Sequence, residues 1–261
     1  MKKNLYSAAF FDIDGTLYDH KTNKIPDLHM QALHELKKQG IKVCLCTARA
    51  LPLIKNLGIL HDFDWDGIVA GAGSYVYGKD LELIYENCID PASAQMIFDL
   101  AKKIDASLFV AGNTAFTTDT SKRTQKVLDI NHVVNLPVRT LQKGDHLSVM
   151  SFLVDDPEKE REHLEKIPGI RALFTRDSID IIKEGLSKFH GIQILMNQFG
   201  FDEHDYIAFG DGVSDLEMLQ NAKLAAAMED GDPALLNKIH TRCPSAHEAG
   251  IYTFLKENGI I

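Results

Sequence analysis

Apolar residues along this chain come in short runs that stop abruptly at polar or glycine-rich turns, and between the runs they recur at helical spacing. Ala8-Ala9-Phe10-Phe11 runs into Asp12-Ile13-Asp14-Gly15-Thr16, and the mostly apolar stretch 41–46 stops at Thr47-Ala48-Arg49. Tyr206-Ile207-Ala208-Phe209 likewise stops at Gly210-Asp211-Gly212-Val213-Ser214-Asp215. Short apolar runs bounded by turn signals fit buried strands. Between the first two, Met30, Leu33 and Leu36 fall at helical spacing within 27–39, and Gly40 suits the position just past a helix end. The pattern reads strand, helix, strand. A second helix is predicted from Ala50-Leu51-Pro52 to Gly58, since proline is tolerated in a first turn. A strand at 66–70 follows, then a hairpin at 75–85 that turns at Gly78-Lys79 and leads away from the core.

From about residue 84 to 182 the pattern changes. Helix-like segments at 91–104 and 157–167 alternate with strand-like ones at 108–111, 149–154, 171–175 and 179–182. Beyond Gly185 the earlier order returns, with a helix at 187–199, the strand before Asp211, a helix at 214–221 and a strand at 224–227. The prediction is an α/β protein whose first domain is split between residues 1–83 and 184–261 by an inserted α+β domain at 84–183.

Composition narrows the partners. The chain has 261 residues, 45% hydrophobic, with 37 acidic against 28 basic side chains and a formal charge of −9. Such a balance disfavours nucleic acid or an anionic membrane as partner and favours a small substrate. No apolar stretch approaches the roughly 20 residues that span a bilayer, so a cytoplasmic location is expected. Cys44, Cys46, Cys88 and Cys243 lack the paired spacing of a zinc site, and the 11 histidines show no metalloprotease pattern.

The chemistry concentrates at the strand ends. Asp12 and Asp14 sit one residue apart, so along an extended chain they point the same way while Ile13 points into the core. Unpaired buried carboxylates cost several kcal/mol each, which calls for a cation or donors. Taken alone, the pentapeptide also reads as an Asp-rich turn, Asp211 and Asp215 as helix-cap residues, and Lys188 as a solvated residue in a helix's first turn. In open α/β sheets, however, ligands bind beyond the carboxyl ends of the strands, where these three ends would converge.

With those carboxylates, Thr47, Lys188 and the Gly210-Asp211 loop in this order, the sequence resembles the haloacid dehalogenase (HAD) superfamily, and within it the Cof-type phosphatases with a type II cap. The resemblance spans essentially the whole chain. It implies a Rossmann-like parallel-sheet core carrying the α+β insert as a mobile cap. It further implies Asp12 as a nucleophile that forms an aspartyl-phosphate and Asp14 as general acid, then base. Mg²⁺ would be held by the Asp12 and Asp211 carboxylates and the Asp14 carbonyl, with Asp215 in or near the coordination sphere. The Thr47 hydroxyl, the Ala48 N–H, Lys188 and Ser214 would hold phosphate.

Three positions depart from the branch: Ser214 stands where Asn is usual, Ala72-Gly73 where Asn-Gly is usual, and Ala48 where Gly is common. Activity is expected to survive with altered rate or range. The cap should choose the substrate, with Asn113, Arg123, Arg139, His146 and Arg176 as candidates. A small phosphorylated metabolite, with sugar phosphates favoured, is the expected substrate. Rival readings are a phosphotransferase or phosphomutase on the same scaffold, and a noncatalytic receiver-like phospho-acceptor module.

Overall fold

A computed structural model describes residues 5–174 and 178–261. In chain order the elements are β1 (Ala8–Phe11), α1 (Asp27–Lys38), β2 (Lys42–Cys46), α2 (Leu51–Leu57), β3 (Gly67–Ala70), β4 (Tyr75–Tyr77), β5 (Leu83–Glu86) and α3 (Pro91–Lys103). The middle of the chain supplies β6 (Ser107–Gly112), β7 (Ala115–Thr117), α4 (Lys122–Ile130), β8 (Leu147–Leu153), α5 (Arg161–Leu164), β9 (Ile170–Phe174) and β10 (Ile179–Lys183). The last part adds α6 (Lys188–Phe199), β11 (Tyr206–Gly210), α7 (Leu216–Asn221), β12 (Leu224–Met228), α8 (Pro233–Leu236), β13 (Arg242–Cys243) and α9 (Gly250–Glu257).

The chain divides into two compact units. Unit 1 comprises Met1–Ala48, Ile59–Tyr85 and Ser187–Ile261; unit 2 comprises Arg49–Gly58 and Glu86–Leu186. Unit 1 is built on an eight-stranded sheet in the order β13-β12-β11-β1-β2-β3-β4-β5. The strands from β13 to β3 pair in parallel. All four β1 residues are fully buried, which is why this strand reads as a continuous apolar run rather than an alternating one. Alternate side chains still serve different faces. Ala8 and Phe10 join Ile192, Leu195 and Met196 of α6 in one core, whereas Phe11 stacks on Phe209, which meets Phe254 of α9 edge-on.

On α1, His29 is fully buried and pins the helix at two points. Its Nδ1 lies 3.2 Å from the Leu17 carbonyl oxygen, and its Nε2 accepts from the Ile251 N–H at 3.2 Å. Only a neutral ring with the proton on Nδ1 can make both bonds.

Unit 2 holds an antiparallel five-stranded sheet, β7-β6-β8-β10-β9. Helices α3 and α5 contribute Ile97, Phe98 and Leu164 to a core with Leu108, Val110, Met150, Phe152 and Ile181. The expected cap candidate Arg176 lies outside the described residues. The others are each held within unit 2: Asn113 donates to the Gly144 carbonyl and Arg123 to the Leu153 carbonyl and Asp155. Arg139 grips Asp145 with both terminal nitrogens while its guanidinium lies 3.7 Å from the centre of the Phe116 ring, and His146 pairs with Glu86.

Three segments differ from the sequence expectation. Residues 49–58, read as part of the first domain, belong with unit 2, because Ala50 and Leu53 pack with Phe109, Ala111, Val133 and Leu153. Arg49 donates to the Asn131 carbonyl at 2.7 Å, and Asn56 bonds both ways with the Val134 backbone. The hairpin at 75–85 does not lead away: β4 pairs antiparallel with β3, and β5 flanks it, so both extend the large sheet. The helix expected at 157–167 is broken into a tight turn at Pro157–Glu160 and the single turn of α5. Among the described residues no helix is long and apolar enough to cross a membrane.

Candidate active site

β1 lies between β11 and β2, with Phe11 in register with Phe209 on one side and Leu45 on the other. The chain moves from β1 to β2 in one direction and returns to place β11 on the opposite flank, so the sheet order reverses at β1. A crevice opens at such a switch point beyond the carboxyl ends of the strands. Asp12, Thr47 and Asp211 each follow the last residues of these three strands. The Asp12 N–H continues the ladder to the Phe209 carbonyl, and the Thr47 N–H donates to the Val69 carbonyl at 2.8 Å.

The centre of the site is a buried cluster of charges. Lys188, the first residue of α6 after the cap residue Ser187, is 1% exposed, and its Nζ donates to Asp12 Oδ1 at 2.6 Å and to Asp215 Oδ1. The other Asp215 oxygen accepts from the N–H groups of Asp211 and Gly212 at 3.0 and 2.9 Å, which folds the loop after β11 around it. Thr16 is fully buried and donates to Asp211 Oδ1 at 3.0 Å. Gly15 completes this contact: it has a φ of +75°, and a Cβ there would come 2.6 Å from Asp211 Oδ2.

Two backbone contacts tie the remaining pieces in. The Ala72 N–H donates to the Thr47 carbonyl at 3.1 Å. Gly73, with a φ of +97°, packs so tightly on α6's start that a Cβ would fall 2.1 Å from the Ser187 carbonyl oxygen. Thr47 is buried at 1% exposure, while Ala48 and Ser214 lie exposed at the rim.

Asp12, Asp211 and Asp215 form the one cluster, among the described residues, in which three His, Cys, Asp or Glu ligand atoms lie within 4.8 Å of one another. Three carboxylates around one ammonium leave an excess of two negative charges, the charge of one divalent cation. The acidities reflect that imbalance. Burial pushes the Asp12 carboxyl well above the usual carboxylate range; Lys188 opposes this, and Asp215, Asp211 and Asp14 add to it. Asp211 is pushed up to about 6, chiefly by burial and then by Asp215, against the Thr16 hydrogen bond. Burial alone would pull the Lys188 ammonium down, but Asp12 and Asp215 outweigh it and hold it above its usual range. An all-oxygen donor set that is short of positive charge fits a hard divalent ion.

The Asp14 carboxylate stands apart from this trio, partly exposed, with Oδ1 2.9 Å from His20 Nε2. Neither Thr16 nor His20 was assigned a partner from sequence. Thr16 carries a weak signal, a hydroxyl just past two carboxylates; His20 carries none, because its contact depends on how the intervening turn folds.

A family model described as haloacid dehalogenase-like hydrolase matches residues 9–255. The chain belongs to the haloacid dehalogenase-like hydrolase family. This HAD hydrolase is 29% identical over 272 residues to YkrA of Bacillus subtilis (strain 168), covering 97% of each chain. It is 28% identical over 274 residues to 5-amino-6-(5-phospho-D-ribitylamino)uracil phosphatase YitU of the same organism, covering 94% of this chain and 95% of that one. A solved structure described as the HAD subclass IIB sugar phosphatase BT4131 superposes with a TM-score of 0.87 at 26% identity, over 98% of this chain and 100% of the other. The chain is thus an enzyme, a phosphatase of the HAD type.

Proposed function

We propose that this HAD phosphatase hydrolyses small phosphorylated metabolites in a Mg²⁺-dependent reaction through an aspartyl-phosphate on Asp12, with sugar phosphates the favoured class. The observation that carries this reading is the Asp12 carboxylate, buried at the carboxyl end of β1 and bonded to the Lys188 ammonium, two residues before a partly exposed Asp14. Asp12 attacks phosphorus in line, and Asp14 delivers a proton to the departing oxygen. Asp14 then takes a proton from the water that hydrolyses the acyl phosphate, so one difficult displacement becomes two easier ones. Lys188 both holds Asp12 and offsets phosphate charge. The Thr47 hydroxyl, the Ala48 N–H and Ser214 supply donors to the remaining phosphate oxygens.

The Asp12 and Asp211 carboxylates and the Asp14 carbonyl are the proposed holders of Mg²⁺. Asp215, already committed to Lys188 and two backbone N–H groups, shapes the loop beside them. Bound there, the ion would offset carboxylate charge and polarise the phosphoryl group. Unit 2 is the proposed source of substrate choice. The substrate class rests on relatives: the sugar phosphatase and YitU described above, and HMP-PP phosphatase of Enterobacter sp. (strain 638), 24% identical over 251 residues.

Hydrolysis of p-nitrophenyl phosphate, with release of inorganic phosphate, tests the reading. Activity is expected to require Mg²⁺, to be supported poorly by Ca²⁺, whose looser coordination misplaces the nucleophile, and to disappear in Asp12→Asn. Full activity in Asp12→Asn would refute the nucleophile. Transfer of phosphate to an added sugar instead of to water would reassign the enzyme as a phosphotransferase. A panel of phosphorylated metabolites then defines the substrate.

A further inference from the structure

Between Asp12 and His20 the chain doubles back on itself. The Leu17 N–H donates to the Asp12 carbonyl at 3.2 Å and the Tyr18 N–H to the Ile13 carbonyl at 2.8 Å, and Asp14 and Tyr18 pair as an isolated bridge. This fold-back brings His20, six residues after Asp14, to hydrogen-bond distance, with Nε2 2.9 Å from Asp14 Oδ1. The imidazole is itself braced. The Tyr18 ring, 5% exposed, meets it edge-on at 5.2 Å with an interplanar angle of 68°.

The two side chains are 30% and 33% exposed, which distinguishes them from the sealed cluster of Asp12, Lys188 and Asp215. A carboxyl at an open rim samples several orientations, and ordering it costs free energy that a reaction otherwise meets at every turnover. A hydrogen bond from a braced ring removes much of that cost in advance.

We infer that His20 is a positioning residue for Asp14: by holding one carboxylate oxygen, it orients the group for proton transfer to the leaving oxygen. The inference rests on the acid–base role proposed for Asp14. In the step concerned, an Asp12 oxygen forms a bond to phosphorus while the ester P–O bond breaks with its electron pair staying on the departing oxygen. The proton carried by Asp14 moves to that oxygen, leaving the Asp14 carboxylate. In this role His20 acts only through Asp14.

A positioning role makes a prediction that a purely structural one does not: the defect should depend on how badly the leaving group needs a proton. p-Nitrophenolate departs readily unprotonated, whereas phenolate does so poorly. kcat/KM reports the first chemical step, so it is measured with Mg²⁺ for p-nitrophenyl phosphate and phenyl phosphate in the wild type, His20→Ala, His20→Gln and Asp14→Asn, alongside the Tm of each. His20→Ala is expected to lose about tenfold on phenyl phosphate and under about twofold on p-nitrophenyl phosphate, with Tm unchanged. His20→Gln, whose amide can still donate, is expected to recover part of the loss. Asp14→Asn should show a larger loss with the same leaving-group pattern. Equal losses on both esters in His20→Ala, or none, while Asp14→Asn keeps the pattern, would overturn the role of His20 and leave Asp14's standing. Absence of the pattern in Asp14→Asn would remove the acid itself, and His20's role with it.

Discussion

At the residue scale, two buried groups show opposite responses to burial. Lys188 stays charged because two carboxylates face it, whereas at His29 burial outweighs both the Leu17 carbonyl hydrogen bond and the Asp19 charge and holds the ring down at about 4 against the usual 6.5. The unfolded chain therefore binds a proton at this site between pH 6.5 and 4 while the folded one does not. Stability contributed by neutral His29 is fully present above pH 6.5 and lost as pH falls toward 4, a difference worth about 3 kcal/mol at 1.36 kcal/mol per pH unit. Denaturant melts across this range are expected to show the loss in the wild type and not in His29→Gln. An equal slope in both proteins would place the acid sensitivity elsewhere. The charge logic of the paired carboxylates is visible in Asp12-Ile13-Asp14 itself, but His29 is not, since a lone histidine on an amphipathic helix gives no sign of which backbone groups it will meet.

At the element scale, the loop between β3 and β4 links Thr47, at the end of β2, to the start of α6 through Ala72 and Gly73. Ala72 sits there in the left-handed region, with φ 55° and ψ 32°, at a cost that an alanine bears and a glycine does not. Ala72→Gly is expected to raise the urea midpoint, with a gain in unfolding free energy under about 1 kcal/mol because the more flexible unfolded chain offsets part of the relief. A lowered midpoint would show that the strain relieved at residue 72 is smaller than the entropy the unfolded chain gains. The elements around the site were legible because β1, β11 and all of β2 after Lys42 are buried on both faces and so read as apolar runs ending in polar turns. Helix α4 was not: Lys122, Arg123, Gln125 and Lys126 dominate it, and Thr124 is its one buried residue. The three-residue β7 is too short to show a period. α2 was legible as a helix but not in its allegiance, because the residues that hold it, such as Phe109 and Val133, lie far along the chain.

At the scale of the whole molecule, the acidic cluster would make divalent-ion binding and stability one quantity. Asp211, raised to about 6, favours the folded state when protonated; that contribution is present below the unfolded value near 3.8 and is lost as pH rises through 6. A divalent cation bound there would replace the lost proton. Saturating Mg²⁺ is expected to raise Tm markedly at pH 7.5, by an amount equivalent to about 2.7 kcal/mol at a hundredfold excess over Kd, and much less at pH 5, where protons compete. A shift of the same size at both pH values would separate Asp211 from the ion. The central strand pairing also links the two ends of the chain, since β1 finds its neighbour β11 almost two hundred residues later. During synthesis, therefore, the nascent chain can assemble unit 2 early but stays catalytically silent until α6, β11 and the loop after it have left the ribosome. A stalled or truncated product that ends before α6 carries Asp12 without Lys188, Asp211 or Asp215, so the buried charge cluster forms only once these later segments join β1.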